Sequence, residues 1–256
     1  MGRIIAVANQ KGGVGKTTTT INLSACLAEL GKKVLTIDLD PQANTTSGLG
    51  VDKAGCENTV YDVILHECPV GDALIHTQVP NLDLLPANVD LAGAEVELIN
   101  VSDREYALRS EIDPIRDGYE YILIDCPPSL NLLTINAMTT ADTVLVPIQC
   151  EYYALEGLSQ LMNTVGLVQQ RLNPGLRIEG VVFTMYDART KLSSQVAENV
   201  KDNLDTRIYK TVIPRNIRLA EAPSYGLPIN LYDARSAGAR SYRRLAKELV
   251  KREDKE

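Results

Sequence analysis

The stretch Gly2-Arg3-Ile4-Ile5-Ala6-Val7-Ala8-Asn9-Gln10-Lys11-Gly12-Gly13-Val14-Gly15-Lys16-Thr17-Thr18 decides how the rest of the chain is read. Ile4 to Ala8 is an apolar run of strand length. A glycine-rich turn follows, and Lys16 opens a helix that runs to Leu30 and is closed by Gly31. Such a turn lets successive backbone N–H groups curl around phosphate oxygens, and the helix N-terminus adds positive potential. In that setting Lys16 neutralises β- and γ-phosphates, the Thr17 hydroxyl ligates Mg²⁺, and Thr18 donates to an α-phosphate. The spacing is G-x-x-x-x-G-K-[ST] with one departure. Its first position falls at Asn9-Gln10 rather than at a glycine, and Lys11 supplies a second lysine.

Outward from this stretch, strand-like and helix-like segments alternate. Strands are expected at Val34 to Ile37, Leu82 to Leu85, Tyr121 to Ile124, Thr143 to Val146, Ile178 to Phe183 and Tyr209 to Ile213. Short helices separated by Pro69 fit residues 59–75, and helical periodicity returns at 90–99, 104–115, 132–139, 155–172 and 192–204. The last helix starts behind Ser236 as N-cap and passes Leu249. Continuous apolar strands alternating with helices predict an α/β fold, a doubly wound and mostly parallel sheet flanked by helices on both faces. No repeat, low-complexity tract or linker divides the chain, so residues 1–256 are expected to form one domain with a charged tail at 251–256.

Composition narrows the class. With 45% apolar and 23% charged residues, disordered, collagen-like and coiled-coil readings are excluded. No apolar run approaches the roughly 18 residues of a membrane span. Five cysteines without a CxxC suit a reducing cytoplasm rather than a disulfide frame. The net charge of −7 conceals a contrast, because Arg189 to Arg252 holds 14 Lys/Arg against 6 Asp/Glu. Such segregation marks either a polyanion-binding face or a solvated helical surface.

Two strand ends carry carboxylates. Asp40 lies just past the second strand, held by the Pro41 turn, beside the phosphate loop in any doubly wound sheet. It is placed to orient an attacking water. Asp38, two residues earlier, takes a lesser, magnesium-side role. Asp125 closes Tyr121-Ile122-Leu123-Ile124 and is expected to hold Mg²⁺ through water.

Lys11 to Thr18, Asp38-Leu39-Asp40-Pro41-Gln42-Ala43-Asn44, Ile124-Asp125-Cys126-Pro127-Pro128-Ser129 and the run Pro214 to Ser224 occur in that order. Together they resemble the ParA/Soj chromosome and plasmid partitioning ATPases, members of the ParA/MinD superfamily of deviant Walker A P-loop ATPases, across essentially the whole chain. The resemblance implies hydrolysis of ATP with Mg²⁺, a cradle of Gly12, Gly13, Val14 and Gly15, and Asp40, Lys11 and Lys16 as catalytic residues. Lys11 is then the signature lysine that reaches the phosphates of a second subunit across an ATP sandwich homodimer. Pro214 and Asn216 hold adenine, and Glu151 touches the partner's ribose. Arg189 and Arg218 match positions used for non-specific binding of double-stranded DNA. Arg240, Arg243, Arg244 and Lys247, at helical spacing on the last helix, join them. A ParB-like centromere-binding protein is the implied stimulating partner, and the implied location is the cytoplasm, on the nucleoid.

The rival within the superfamily is MinD-like membrane positioning, which needs an exposed amphipathic terminal helix. Core packing accounts better for Tyr242, Leu245, Ala246, Leu249 and Val250, so no membrane contact is expected.

Overall fold

The computed structural model describes residues 2–151, 154–203 and 207–253. Among the described residues seven strands form one sheet in the order β3 (Ile75–His76), β4 (Leu82–Leu85), β2 (Val34–Asp38), β5 (Tyr121–Asp125), β1 (Arg3–Val7), β6 (Thr143–Gln149) and β7 (Arg177–Thr184). All pairings are parallel except β3 with β4. Every residue of β2 and β5 is buried, which is why these strands read as nearly continuous apolar runs, interrupted by Thr36 and ended by Asp38 and Asp125, rather than alternating ones.

Helix α1 (Lys16–Glu29) leaves the phosphate loop and crosses one face of the sheet. The short α2 (Asn44–Gly48) follows Asp40. On the opposite face lie α3 (Val60–Ile64), α4 (Val70–Ala73), α5 (Leu91–Glu97), α6 (Ala107–Ile112), α7 (Leu132–Thr140), α8 (Ala154–Arg171) and α9 (Lys191–Asn203). The chain ends through α10 (Ile217–Glu221), α11 (Ile229–Tyr232) and α12 (Ala237–Glu253), which return to the face of α1. There Leu23, Leu27, Leu123, Leu145, Leu245 and Leu249 make one continuous apolar layer.

Four departures from the sequence reading have physical causes. Residues 209–213 form no regular strand. Tyr209 and Ile213 donate to the carbonyls of Val181 and Phe183, but between them the N–H groups of Lys210 and Thr211 turn to the Glu248 carboxylate of α12. The 104–115 segment is α-helical only over α6, with 3₁₀ turns on either side, the later one carrying Pro114 near its start. Helix α2 was not expected, since five residues are too few to display a helical period. Residues 251–253 of the expected charged tail belong to α12, which continues through Glu253; residues 254–256 and Leu204 lie outside the described residues.

The apolar stripe of α12 is core. Tyr242, Leu245, Ala246 and Leu249 are at most 1% exposed, packed on the α1 side of the sheet. Ser236 caps this helix by accepting the Ala239 N–H at 3.1 Å. Among the described residues no helix is long and apolar enough to cross a membrane.

Candidate active site

The loop between β1 and α1 is braced by β6 and β7 and by a bond of its own. Asn9 Nδ2 donates to the Pro147 carbonyl of β6 at 2.8 Å, while its Oδ1 accepts the Lys11 N–H at 3.0 Å. Thr184, at the end of β7, donates its hydroxyl to the Val14 carbonyl at 2.7 Å. Gly13 and Gly15 adopt φ of 75° and 88°, a region closed to most side chains, and this turns the loop so that α1 begins at Lys16. Lys16 is 7% exposed, with its ammonium 3.3 Å from the Lys11 carbonyl. Burial lowers its pKa, and the nearby Asp125 and Asp40 work against that shift.

Parallel pairing of β2 with β5 sets Asp38 opposite Asp125, and both are completely buried. Oδ2 of Asp125 accepts the hydroxyls of Thr17 and Thr45, each at 2.7 Å, and Oδ1 has a longer contact of 3.4 Å from Thr20. Asp38 is occupied otherwise than expected. Its Oδ2 accepts the N–H and hydroxyl of Thr46, both at 2.8 Å, and its Oδ1 accepts the Asp40 N–H at 3.3 Å. It therefore organises the turn after β2 instead of presenting an open oxygen. Burial pushes the Asp38 carboxyl up to about 7, helped by the charge on Asp125, and burial likewise raises Asp125.

Lys16 and Thr17 border a cleft of about 740 Å³, a size suited to a nucleotide, and the buried Asp38 and Asp125 lie behind its lining. Gly12, Gly13, Gly15, Lys16, Thr17 and Thr18 line one end, with Asp40 beside them and Pro214 and Asn216 at the other end. Asp40 is 9% exposed, its Oδ1 accepting the Gln42 N–H at 3.0 Å. The Thr17 hydroxyl and the Asp125 carboxylate are hard oxygen donors of the kind Mg²⁺ takes together with phosphate and water. Asn216 Oδ1 is buried without a hydrogen-bond partner, an acceptor in the wall that suits an exocyclic amine such as that of adenine. The residues present fit a magnesium–nucleotide pair.

Other expected site residues lie apart from this cleft. Lys11 pairs with Glu151 at 2.6 Å, 36% and 43% exposed, away from the cleft lining. Arg189 forks onto Asp187 at 2.9 and 2.7 Å, which holds the Asp187 carboxyl down to about 2. Arg218 pairs with Glu221 at 2.9 Å and Asp233 at 3.6 Å. The last-helix cluster divides. Arg243 turns to Glu29 of α1 at 2.7 Å, whereas Arg240, Arg244 and Lys247 form an exposed ridge without a carboxylate partner among the described residues. Sequence reasoning missed Thr45, Thr46 and Thr184. The adjacent hydroxyls of Thr45-Thr46, in a segment lacking apolar period, were the available signal for the first two.

A family model described as "AAA domain" matches residues 2–178. The sporulation initiation inhibitor protein Soj of Bacillus subtilis is 59% identical over 98% of this chain and 99% of its own length. The chromosome partitioning protein ParA of Caulobacter vibrioides is 54% identical over 98% of this chain and 95% of its own. Among solved structures, a Mycobacterium smegmatis protein described as cobyrinic acid a,c-diamide synthase, with bound ADP and magnesium, is similar with a TM-score of 0.88. It is 40% identical, with 99% of this chain and 96% of that one covered.

Proposed function

The chain belongs to the Soj/ParA family of chromosome-partitioning ATPases, and from that premise we propose that it segregates DNA as an ATP-dependent dimer on the nucleoid. It is an ATPase that works with ATP and magnesium. The observation that carries the finer reading is the meeting of Lys16, Asp40 and Thr17 on one nucleotide-sized cleft, with the buried Asp125 bonded to the Thr17 hydroxyl behind the lining and the unpartnered Asn216 oxygen in the far wall.

In this reading the backbone of Gly12 to Gly15 and the Lys16 ammonium hold the β- and γ-phosphates, and Thr18 supports the α-phosphate. Thr17 and Asp125 would hold magnesium, which would supply positive charge against the phosphates. Asp40, anchored by the Gln42 N–H, aligns the attacking water. Asn216 and Pro214 select adenine. Lys11 exchanges Glu151 for the phosphates of a second copy, and the exchange is inexpensive because the pair is exposed. Two-fold symmetry then gives each nucleotide one lysine from either subunit, with Glu151 freed toward the partner's ribose.

Dimerisation doubles a DNA surface made of Arg189, Arg218 and the ridge of Arg240, Arg244 and Lys247, with Arg243 at its margin. A centromere-binding partner of the ParB kind stimulates hydrolysis and releases the dimer. All of this resides in one ATPase domain within the cytoplasm.

The test is ATP turnover measured with and without duplex DNA and such a partner, beside Asp40→Ala. That variant should bind ATP, turn over about 100-fold more slowly, and accumulate dimer on size exclusion. Normal turnover in Asp40→Ala, or indifference of turnover to both additions, would remove the proposal.

A further inference from the structure

The segment after Asp40 is tied to the strand ends by two hydroxyls that do not line the cleft. Thr45 and Thr46 are both fully buried. Thr46 grips Asp38 with its N–H and hydroxyl, and its oxygen in turn accepts the Ala87 N–H at 3.0 Å. Thr45 donates to Asp125 Oδ2 at 2.7 Å, the same oxygen that takes the Thr17 hydroxyl. Between Asp40 and Thr45 the chain makes a tight turn. Ala43 sits at φ 53° and donates its N–H to the Asp40 carbonyl at 2.8 Å. Asp40 cannot shift far while both hydroxyls hold.

We propose that Thr45 is a positioning residue for hydrolysis, fixing the orientation of Asp125 and, through the Ala43 turn, the place of Asp40. The proposal rests on the reading of Asp40 and Asp125 given above. A carboxylate oxygen accepts about two hydrogen bonds along its lone pairs. Thr17 and Thr45 together fill Oδ2, so the carboxylate cannot rotate without breaking one of them. Thr17 is also the hydroxyl assigned to magnesium, which leaves Thr45 as the tie with no second duty. Valine would fill the same buried volume, so the hydroxyl is what the site requires of this position. Partners of metal-holding carboxylates typically account for about 10–100-fold in metal affinity or activity.

The experiment compares Thr45→Val, Thr45→Ser and Asp40→Ala with the unaltered chain. Turnover is titrated with Mg²⁺, and affinity for a fluorescent non-hydrolysable ATP analogue is measured at low and saturating Mg²⁺. Thr45→Val should lower kcat about 10–100-fold and raise the Mg²⁺ needed for half-maximal analogue binding about tenfold, while affinity at saturating Mg²⁺ stays within about threefold. Thr45→Ser should restore both. If Thr45→Val does not fold, Thr45→Ala removes the same hydroxyl without adding bulk and carries the same expectation. A hydroxyl-free variant with unaltered kcat and Mg²⁺ dependence overturns the proposal, as does an equal loss in Thr45→Ser or a loss confined to Tm. Normal turnover in Asp40→Ala would instead overturn the reading beneath it.

Discussion

Asp38 and Asp125 stand opposite each other at the ends of adjacent parallel strands, in register and fully buried, so two carboxylates share one buried site. Burial raises both above the ordinary carboxylate pKa near 4. The native chain therefore keeps a proton there that the unfolded chain has released, and stability falls as pH climbs through that window. One such proton corresponds to about 1.4 kcal/mol per pH unit. The Tm of the nucleotide-free protein should fall between about pH 5 and pH 7, and less so with Mg²⁺ and ADP, whose cation compensates the charge. Differential scanning fluorimetry over a pH series checks this. A Tm rising across that range would contradict it, and Asp38→Asn should flatten the slope.

Lys16→Ala should weaken ATP binding about 10–100-fold, the equivalent of a charge-assisted hydrogen bond of roughly 1.5–3 kcal/mol. Because Lys16 is buried, no neighbouring solvent cation replaces it readily. Calorimetry with ATP and Mg²⁺ decides the matter, and an unchanged Kd would refute the assignment.

Arg189→Ala and Arg218→Ala should weaken DNA binding equally for unrelated duplexes, since phosphate contacts carry no base information. Removing one arginine–phosphate pair should flatten the slope of log K against log salt by about 0.9, twice that in a symmetric dimer. A phosphate at these arginines competes with Asp187 for Arg189 and with Glu221 and Asp233 for Arg218. Affinity measured over a salt series with ATP and with ADP tests the gating, and equal affinity in the two nucleotides would refute it.

Arg3→Ala should cost about 3–5 kcal/mol, because it strands the Glu179 carboxylate, which is 2% exposed and also accepts the Tyr209 hydroxyl at 2.8 Å. Urea unfolding measures this, and a loss below about 1 kcal/mol would show the carboxylate to be better served by Tyr209 alone.

The sheet was legible because Ile4 to Ala8 and Tyr121 to Ile124 are apolar at consecutive positions, and Val34 to Ile37 at all but Thr36, as strands covered on both faces require. The phosphate loop was legible because glycine at Gly13 and Gly15 answers a backbone need visible in spacing. The tie of Thr45 to Asp125 was not legible. It joins residues 80 apart in sequence, and a buried hydroxyl has the same periodic signature as a loop hydroxyl. The division of Arg243 from Arg240, Arg244 and Lys247 was hidden for a related reason. Spacing on α12 fixes a side chain's direction but does not reveal that Glu29 of α1 waits there.

The place of β1 in the sheet bears on how the molecule is made. Its neighbours β5 and β6 are encoded far downstream, from Tyr121 and Thr143, so on the ribosome Ile4 to Val7 emerges long before anything can pair with it. At about 5–20 residues per second, roughly 7–30 s separate translation of β1 from that of the last of its flanking strands. Throughout that interval the nascent chain carries an unpaired, uncharged β-forming segment, and the phosphate loop has no sheet to brace it. The nucleotide therefore cannot assist early folding. Closure of the sheet around β1 therefore waits until the residues of β6 have been made.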